Sequence, residues 1–443
     1  MKKHIKRLSA LLLCLGLGFS LCSCDFLSSF NNKPLTAPPV LLEKQDEIIR
    51  ALKGSVGEQI DLVHPSTGEN RSAFILSDLD GDGTDEAIAF YRPLIESAAI
   101  DVAHINVLKS DKEGWNSICD IVGESAGIDR VSIGSLGGKK RLVVGWSLTR
   151  DKEKTLVCYS VSNKTPSRDF TAGYVEFAVS DFWAQNEGDE LITVNYSQGE
   201  EKLLPPTWEA RLILELDGEF SVKSKVALDP RVTGYKKCAA GKYNESDFAY
   251  FLDGVLDAAN VNTQILTVNE SGEIQNPLLV DGQTEPTNIH KATQLTADIN
   301  GDGILEVPHQ TAVLGYESLP ESEQIYKTVW HQLVDGRLQK SETMYISSLG
   351  VRVTIPRELD GKITLRSFSA ESKISFYEFG GSLDKSTTEL FSIKIYEKED
   401  FEIEDGFEVL KSTDYTVVTV NMADTAHALC PTWQTVFKMV EIV

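Results

Sequence analysis

Short apolar runs separated by polar turns dominate the chain from about residue 70 onward. Five of these runs open on a charged residue: Glu86-Ala-Ile-Ala-Phe90, Arg141-Leu-Val-Val-Gly145, Glu190-Leu-Ile-Thr-Val194, Asp247-Phe-Ala-Tyr-Phe251 and Glu306-Val-Pro-His-Gln310, with starts 55, 49, 57 and 59 residues apart. The first four continue as largely apolar stretches, the pattern of strands buried on both faces. The fifth contains Pro308, which cannot donate to a sheet ladder and belongs at an edge or a bulge. Turn pairs Glu113-Gly114, Asp217-Gly218, Ser271-Gly272 and Asp335-Gly336 place their glycines 28, 28, 25 and 30 residues after the matching starts. Their flanks read as hairpin arms, such as 210–216 against 220–226 and 263–268 against the run from Glu273. The second unit has no glycine there and offers Ser162-Asn163 instead.

Four short strands per unit, recurring at about 40–60 residues, is the pattern of β-propeller blades. One sheet cannot hide either face, but sheets arranged round an axis shield one another. The expected fold is therefore mainly β, a propeller of about five four-stranded blades over 70–349 followed by a small α+β domain over 350–443. In the latter, 351–355, 362–368, 373–379, 390–396 and 416–420 read as strands, and 432–443 as a closing helix. Ahead of the repeats, 40–69 is a lead-in with an amphipathic helix from Leu41 to Lys53, apolar at 41, 42, 48, 49 and 52 and ended by Gly54.

Two turns just before repeat starts are unusually acidic: Asp78-Leu-Asp80-Gly-Asp82-Gly-Thr84-Asp-Glu86 and Asp298-Ile-Asn300-Gly-Asp302-Gly-Ile304-Leu-Glu306. Oxygen-bearing side chains at positions 1, 3, 5 and 9, a glycine at 6 and a carbonyl at 7 can surround a hard cation. Calcium takes six to eight oxygens at about 2.3–2.6 Å, whereas magnesium demands stricter octahedral geometry. Helical calcium loops need a carboxylate at position 12, where this chain has Ala89 and His309. The nonapeptides, with Phe74-Ile-Leu76 before the first and 87–90 after it, resemble the calcium loops of FG-GAP or VCBS repeats, the integrin-α-like propellers. That resemblance implies structural Ca²⁺ held by Asp78, Asp80, Asp82, the Thr84 carbonyl and Glu86, and again by Asp298, Asn300, Asp302, the Ile304 carbonyl and Glu306. The three intervening units depart from the pattern at Ser135-Leu-Gly-Gly138, Asn186-Glu-Gly-Asp189 and Tyr243-Asn-Glu-Ser246 and are expected to hold no metal.

The N-terminus reads as an export signal. Lys2, Lys3, Lys6 and Arg7 precede a short apolar run from Leu8 to Phe19, and the segment closes on Leu21-Cys-Ser-Cys24. It resembles the lipobox of bacterial lipoproteins. The resemblance implies a signal peptide over 1–23, a lipid on Cys24 and a flexible tether over 24–39, rich in Ser, Asn and Pro. The expected location is extracytoplasmic, anchored to the membrane through that lipid.

The formal net charge is −23, and loss of the leader cations makes the exported part more acidic still. Such a field opposes nucleic acid or an anionic lipid surface as the main partner and suits cation binding. Cys119, Cys158, Cys238 and Cys430 form no CxxC pair and read as buried small residues, with at most one bridge. No HExxH, GxSxG, P-loop or GxGxxG after a strand occurs. Asp253 and Asp257 lie after a buried-looking strand, where a glycosidase could place paired carboxylates, though four-residue spacing in a turn is a weak signal. The tryptophans at 115, 146, 183, 208 and 330 fit inter-sheet packing better than sugar stacking. The sequence thus points to a non-enzymatic binding or scaffold module for a protein or glycan. The alternatives are an extracellular polysaccharide-acting enzyme and an envelope-assembly or sensing component.

Overall fold

Strands that are apolar without interruption need cover on both sides. In a computed structural model the anchor strands have it: Glu86–Pro93, Lys139–Ser147, Glu190–Ser197 and Phe248–Val255 each hold a run of six or more consecutive buried residues. The structure describes residues 41–94, 102–147, 154–162, 165–197, 207–280, 283–284, 288–423 and 425–443. The leader, Cys24 and the tether lie outside them. The chain divides into Met1–Asp46, described only for the first turns of the helix Leu41–Val56, and Glu47–Val443, to which everything below refers.

This second unit is mainly β, built of antiparallel sheets in chain order. The first contains Ile60–Leu62, Phe74–Ser77, Glu86–Pro93, His104–Asp111 and Gly114–Val122. The second is Gly127–Leu136, Lys139–Ser147, Lys154–Ser162 and Thr165–Tyr174. The third is Glu176–Ser180, Glu190–Ser197, Thr207–Leu216 and Glu219–Ala227. The fourth is Gly234–Lys242, Phe248–Val255, Asn260–Val268 and Ile274–Gln275, with Ile289–Lys291 also paired to Asn260–Val268. The fifth begins with Val307–Ala312, an edge strand that accommodates Pro308, and continues with Tyr326–Val334 and Arg337–Ser347. Asp217 and Gly218 (φ +53° and +87°), like Asp335 and Gly336 (+50° and +74°), turn their hairpins with both central residues at positive φ, as a type I′ turn requires.

Period-2 alternation assigns each strand's residues to two different cores. From Lys139–Ser147, Leu142, Val144 and Trp146 pack with Ile88, Phe90 and Ile105 of the first sheet, while Val143 packs with Leu191 and Ile213 of the third. From Phe248–Val255, Tyr250 and Leu252 join Ile192, Val194 and Leu212 of the third sheet, while Ala249 and Phe251 join Val307 and Leu333 of the fifth. Consecutive sheets thus share their cores pairwise. The other side of the first sheet, at Ala87, Ala89 and Tyr91, is covered by Ile48 and Leu52 of the N-terminal helix.

The expected boundary at residue 350 falls inside a hairpin. Val351–Thr354 pairs with Arg337–Ser347 and extends the fifth sheet. A sixth sheet follows: Ile363–Phe368, Lys373–Glu378, Glu389–Glu397 and Thr416–Met422, edged by Glu408–Ser412. Ile374, Phe376, Phe391 and Ile393 pack it onto Tyr345, Val351 and Val353 of the fifth. The closing helix is shorter than expected. It runs Trp433–Met439, with Thr432 Oγ1 accepting from Thr435 N, and Val440–Ile442 is instead a strand paired with 351–353. Buried Val440 gains more on the sheet than in another helical turn, where β-branched residues are disfavoured. The first helix runs past Gly54 to Val56. Gly57 ends it, with φ +102° and its N–H on Lys53 O.

Cys119, Cys158, Cys238 and Cys430 are all thiols. Only Cys158 is fully buried and the other three are partly exposed, which corrects the expectation of four buried residues. Burial pushes Cys119 up to about 11 and Cys158 up to about 12, and raises Cys238 as well.

Gly145 sits under a side chain of its own sheet and one of the next: a Cβ there would overlap the Tyr174 hydroxyl and meet Phe177. Gly145→Ala should therefore destabilise the protein by about 1–3 kcal/mol, despite alanine's better strand propensity. Urea midpoints would check this, and an unchanged midpoint would show that the contact yields freely.

Candidate metal centre

Glu86 and Glu190 open strands buried on both faces, and buried Glu306 precedes the edge strand Val307–Ala312, so each of these charges must be satisfied locally. Glu86 is 1% exposed and folds back so that Oε2 accepts Leu79 N at 2.9 Å. Glu306 is fully buried and its Oε2 accepts Ile299 N at 3.1 Å. In both turns the first aspartate organises the backbone. Asp78 accepts from Gly81 N and Gly83 N at 2.8 and 2.9 Å, and Asp298 from Gly301 N and Gly303 N at 2.7 and 3.0 Å. The glycines sit at φ +76° and +85° in the first turn and +79° and +85° in the second, a conformation that side chains with Cβ resist. The fifth position caps the seventh: Asp82 Oδ1 accepts Thr84 N at 2.9 Å, and Asp302 Oδ1 accepts Ile304 N at 2.8 Å. Ten residues named from sequence thus fall into two matching turns, each between strands.

The turns differ in what reaches into them from the neighbouring strand. In the first, carboxylate oxygens of Asp78, Asp80 and Glu86 lie within 4.8 Å of one another. Lys109 Nζ contacts Asp80, Asp82 and Glu86 at 2.5, 2.7 and 2.9 Å. Those contacts, led by Asp80, raise the lysine well above its usual range, and the Lys109 hydrogen bond holds Asp82 below the usual carboxylate range. In the second turn the matching residue is Gln332, whose Nε2 lies 2.9 Å from Glu306 Oε1 and 3.3 Å from Asp302 Oδ2. Asn300 Nδ2 donates to Asp302 Oδ2 at 3.0 Å and approaches Glu306 Oε1 at 3.3 Å. Glu342 lies beside Asn300, raised by burial and by Asp302 against a hydrogen bond from Asn300. Burial pushes Glu306 up to about 7, opposed by the Ile299 and Gln332 hydrogen bonds and reinforced by Asp302 and Asp298.

Lys109, Gln332 and Glu342 were not found from sequence. The first two are reachable by register: Ala87 pairs with Leu108 and Val307 with His331, so the next pairs outward are Glu86 with Lys109 and Glu306 with Gln332. The second turn is also joined to the fourth sheet, because Leu305 N donates to Lys242 O at 2.9 Å. Beside it, Ile304 and Gln332 line a cleft of about 520 Å³ together with Tyr243, Thr267, Asn269 and Gln275.

The other anchors satisfy their charges without an acidic turn. Glu190 Oε2 accepts Phe182 N and Trp183 N at 2.7 and 2.9 Å, and Oε1 accepts Asn186 Nδ2 at 2.7 Å. Asp247 is held by Asn244 and Ser246, and Arg141 is clamped by Asp169 and Glu215. The Asp253 and Asp257 pair does not converge on one task. Asp253 is buried under Thr263, Thr296 and His290, whereas exposed Asp257 caps its own turn at Ala259 N and Asn260 N. Trp146 and Trp208 pack in cores shared between sheets, and Trp330 is buried.

Comparison with models of known protein families and with curated proteins finds no match. Among solved structures, the chain is similar to the periplasmic gluconolactonase PpgL of Pseudomonas aeruginosa, with TM-score 0.31 and 10% identity over 74% of this chain and 86% of that one. It is also similar to Sqt1 of Chaetomium thermophilum, with TM-score 0.30 and 11% identity over 77% of this chain and 93% of that one.

Burial pushes Glu190 up to about 7 from the usual 4.5, against the pull of its three donors. The folded chain therefore holds this proton more tightly than the unfolded chain, and stability falls as pH rises from about 4.5 through 7. Glu190→Gln should raise the melting temperature at pH 8, by the equivalent of about 2–3 kcal/mol, and leave it nearly unchanged at pH 4.5. A loss that is larger at pH 8 than at pH 4.5 would show instead that the charge stabilises the turn.

Proposed function

We propose that this chain is an exported protein, anchored through lipid on Cys24, whose propeller of about five blades is stapled by calcium and serves as a binding module for a protein or glycan partner. The observation that carries the calcium reading is the second acidic turn. Its buried Glu306 takes the neutral amides of Asn300 and Gln332 at Oε1, feels the charges of Asp302 and Asp298, and has no cationic partner among the described residues. A dry carboxylate in that company is costly unless protonated or matched by a cation. Oxygens from Asp298, Asn300, Asp302 and Glu306 suit Ca²⁺, which would neutralise them and fix the turn to the strand it opens.

Binding is favoured over catalysis because Asp253 and Asp257 are each engaged in holding the fold. The cleft beside the second turn is the surface a partner would meet. Its Tyr243, Asn269, Gln275 and Gln332 offer amide and hydroxyl groups, which suit sugar hydroxyls or a peptide backbone. The serial packing of consecutive sheets supports the blade reading, and the cationic leader ending at Cys24 supports the anchor.

Chelation should lower the melting temperature and added calcium restore it; at a hundredfold excess over Kd the linkage is about 2.7 kcal/mol. Asp298→Ala should remove the calcium-dependent part of that shift, whatever it does to the baseline. A full calcium response in this variant would reject the second turn as the site. For the anchor, Cys24→Ala should release the protein from membranes into the soluble fraction, and retention on membranes would count against lipidation.

A further inference from the structure

The two acidic turns share a backbone, four side-chain positions and a strand register, yet opposite their last carboxylate one carries a lysine and the other a glutamine. We propose that Lys109 is the resident cation of the first turn, and that Gln332 leaves the second as the one of the pair that takes a divalent ion. The assignment for the second turn rests on the calcium reading above; that for the first does not.

Lys109 Nζ sits where a metal would have to sit, 2.5 Å from Asp80, 2.7 Å from Asp82 and 2.9 Å from Glu86. Glu86 Oε1 is buried with no other hydrogen-bond donor among the described residues, so this carboxylate is aimed into the turn and answered by the ammonium. The lysine is tethered by its own strand, and a divalent ion entering from solvent must break all three contacts at once. Even displaced, an ammonium has no lone pair to give, so it cannot join a coordination shell. Gln332 differs on both counts. It carries no charge, and a half-turn of its amide exchanges Nε2 for Oε1 and presents a carbonyl oxygen of the kind calcium accepts.

The remaining differences agree with this division. The third position is Asp80 where the lysine is present and Asn300 where it is absent, so the extra carboxylate and its counter-ion occur together. Glu342, on the strand beyond Gln332, lies on the same side of the second turn, next to Asn300. Only the second turn has its seventh residue, Ile304, and its opposing residue, Gln332, in the wall of the cleft. Of the two turns, it is therefore the one whose ion a bound partner would sense.

Exchanging the two residues tests the proposal. Calcium sites on the full-length protein would be counted by isothermal titration calorimetry, with folding checked by circular dichroism. Wild type should bind one ion, Lys109→Gln two, Gln332→Lys none, and the double exchange one. Two sites in the wild type would overturn the proposal, as would one site in both the wild type and Lys109→Gln. So would undiminished binding in Gln332→Lys, which decides alone should Lys109→Gln fail to fold. No site in the wild type but one in Lys109→Gln would uphold Lys109 as the resident cation while rejecting calcium at the second turn. No site in either would overturn both.

Discussion

A strand that is dry on both faces can carry charge only at its ends, and there the charge must find partners within a few residues. This constraint shapes the anchors Glu86, Glu190 and Arg141, and buried Glu306, at the head of an edge strand, meets the same demand. Glu86, Glu190 and Glu306 all turn a carboxylate back onto backbone N–H groups seven or eight residues earlier. The length of the preceding turn and the start of the strand are thereby set together. Arg141 meets the same demand with opposite sign, borrowing Asp169 and Glu215 from other strands. The acidic turns are elaborations of this device, adding oxygens to a carboxylate that already has a structural task.

The same turns also join sheets. Leu305 N donates to Lys242 O and Asp189 N to Ser135 O, so the segment before an anchor strand is held to the first strand of the sheet preceding it. Apolar contact between consecutive sheets is non-directional; these bonds fix how far one slides along the other. A turn that loosened would lose both its own shape and that alignment.

Much of the fold was legible in the sequence because it depends on short-range periodicity. Unbroken apolar runs gave the doubly buried strands, and Asp-Gly pairs gave hairpins whose residues adopt the positive φ that such turns need. Elements decided by tertiary contact were not legible. Gly54 looked like a helix end, but the chain tolerates it and stops at Gly57. Val440 to Ile442 continued a helical pattern, yet pairs with 351–353. Glu408–Ser412, half exposed at a sheet edge, offered too little alternation to be noticed. At the site, the local turn residues could be named from their spacing. Lys109, Gln332 and Glu342 could not, since each comes from a strand that only folding brings alongside.

The four thiols have a consequence for chemistry outside the acidic turns. Disulfide exchange and most sulfur oxidation proceed through the thiolate. With Cys119 near 11, only about one molecule in ten thousand ionises there at neutral pH, and fewer at Cys158. Low-dielectric surroundings thus make these sulfurs poor nucleophiles, and Cys158 is in addition fully buried. Among the described residues no disulfide cross-links the fold, and at these two positions one would form slowly.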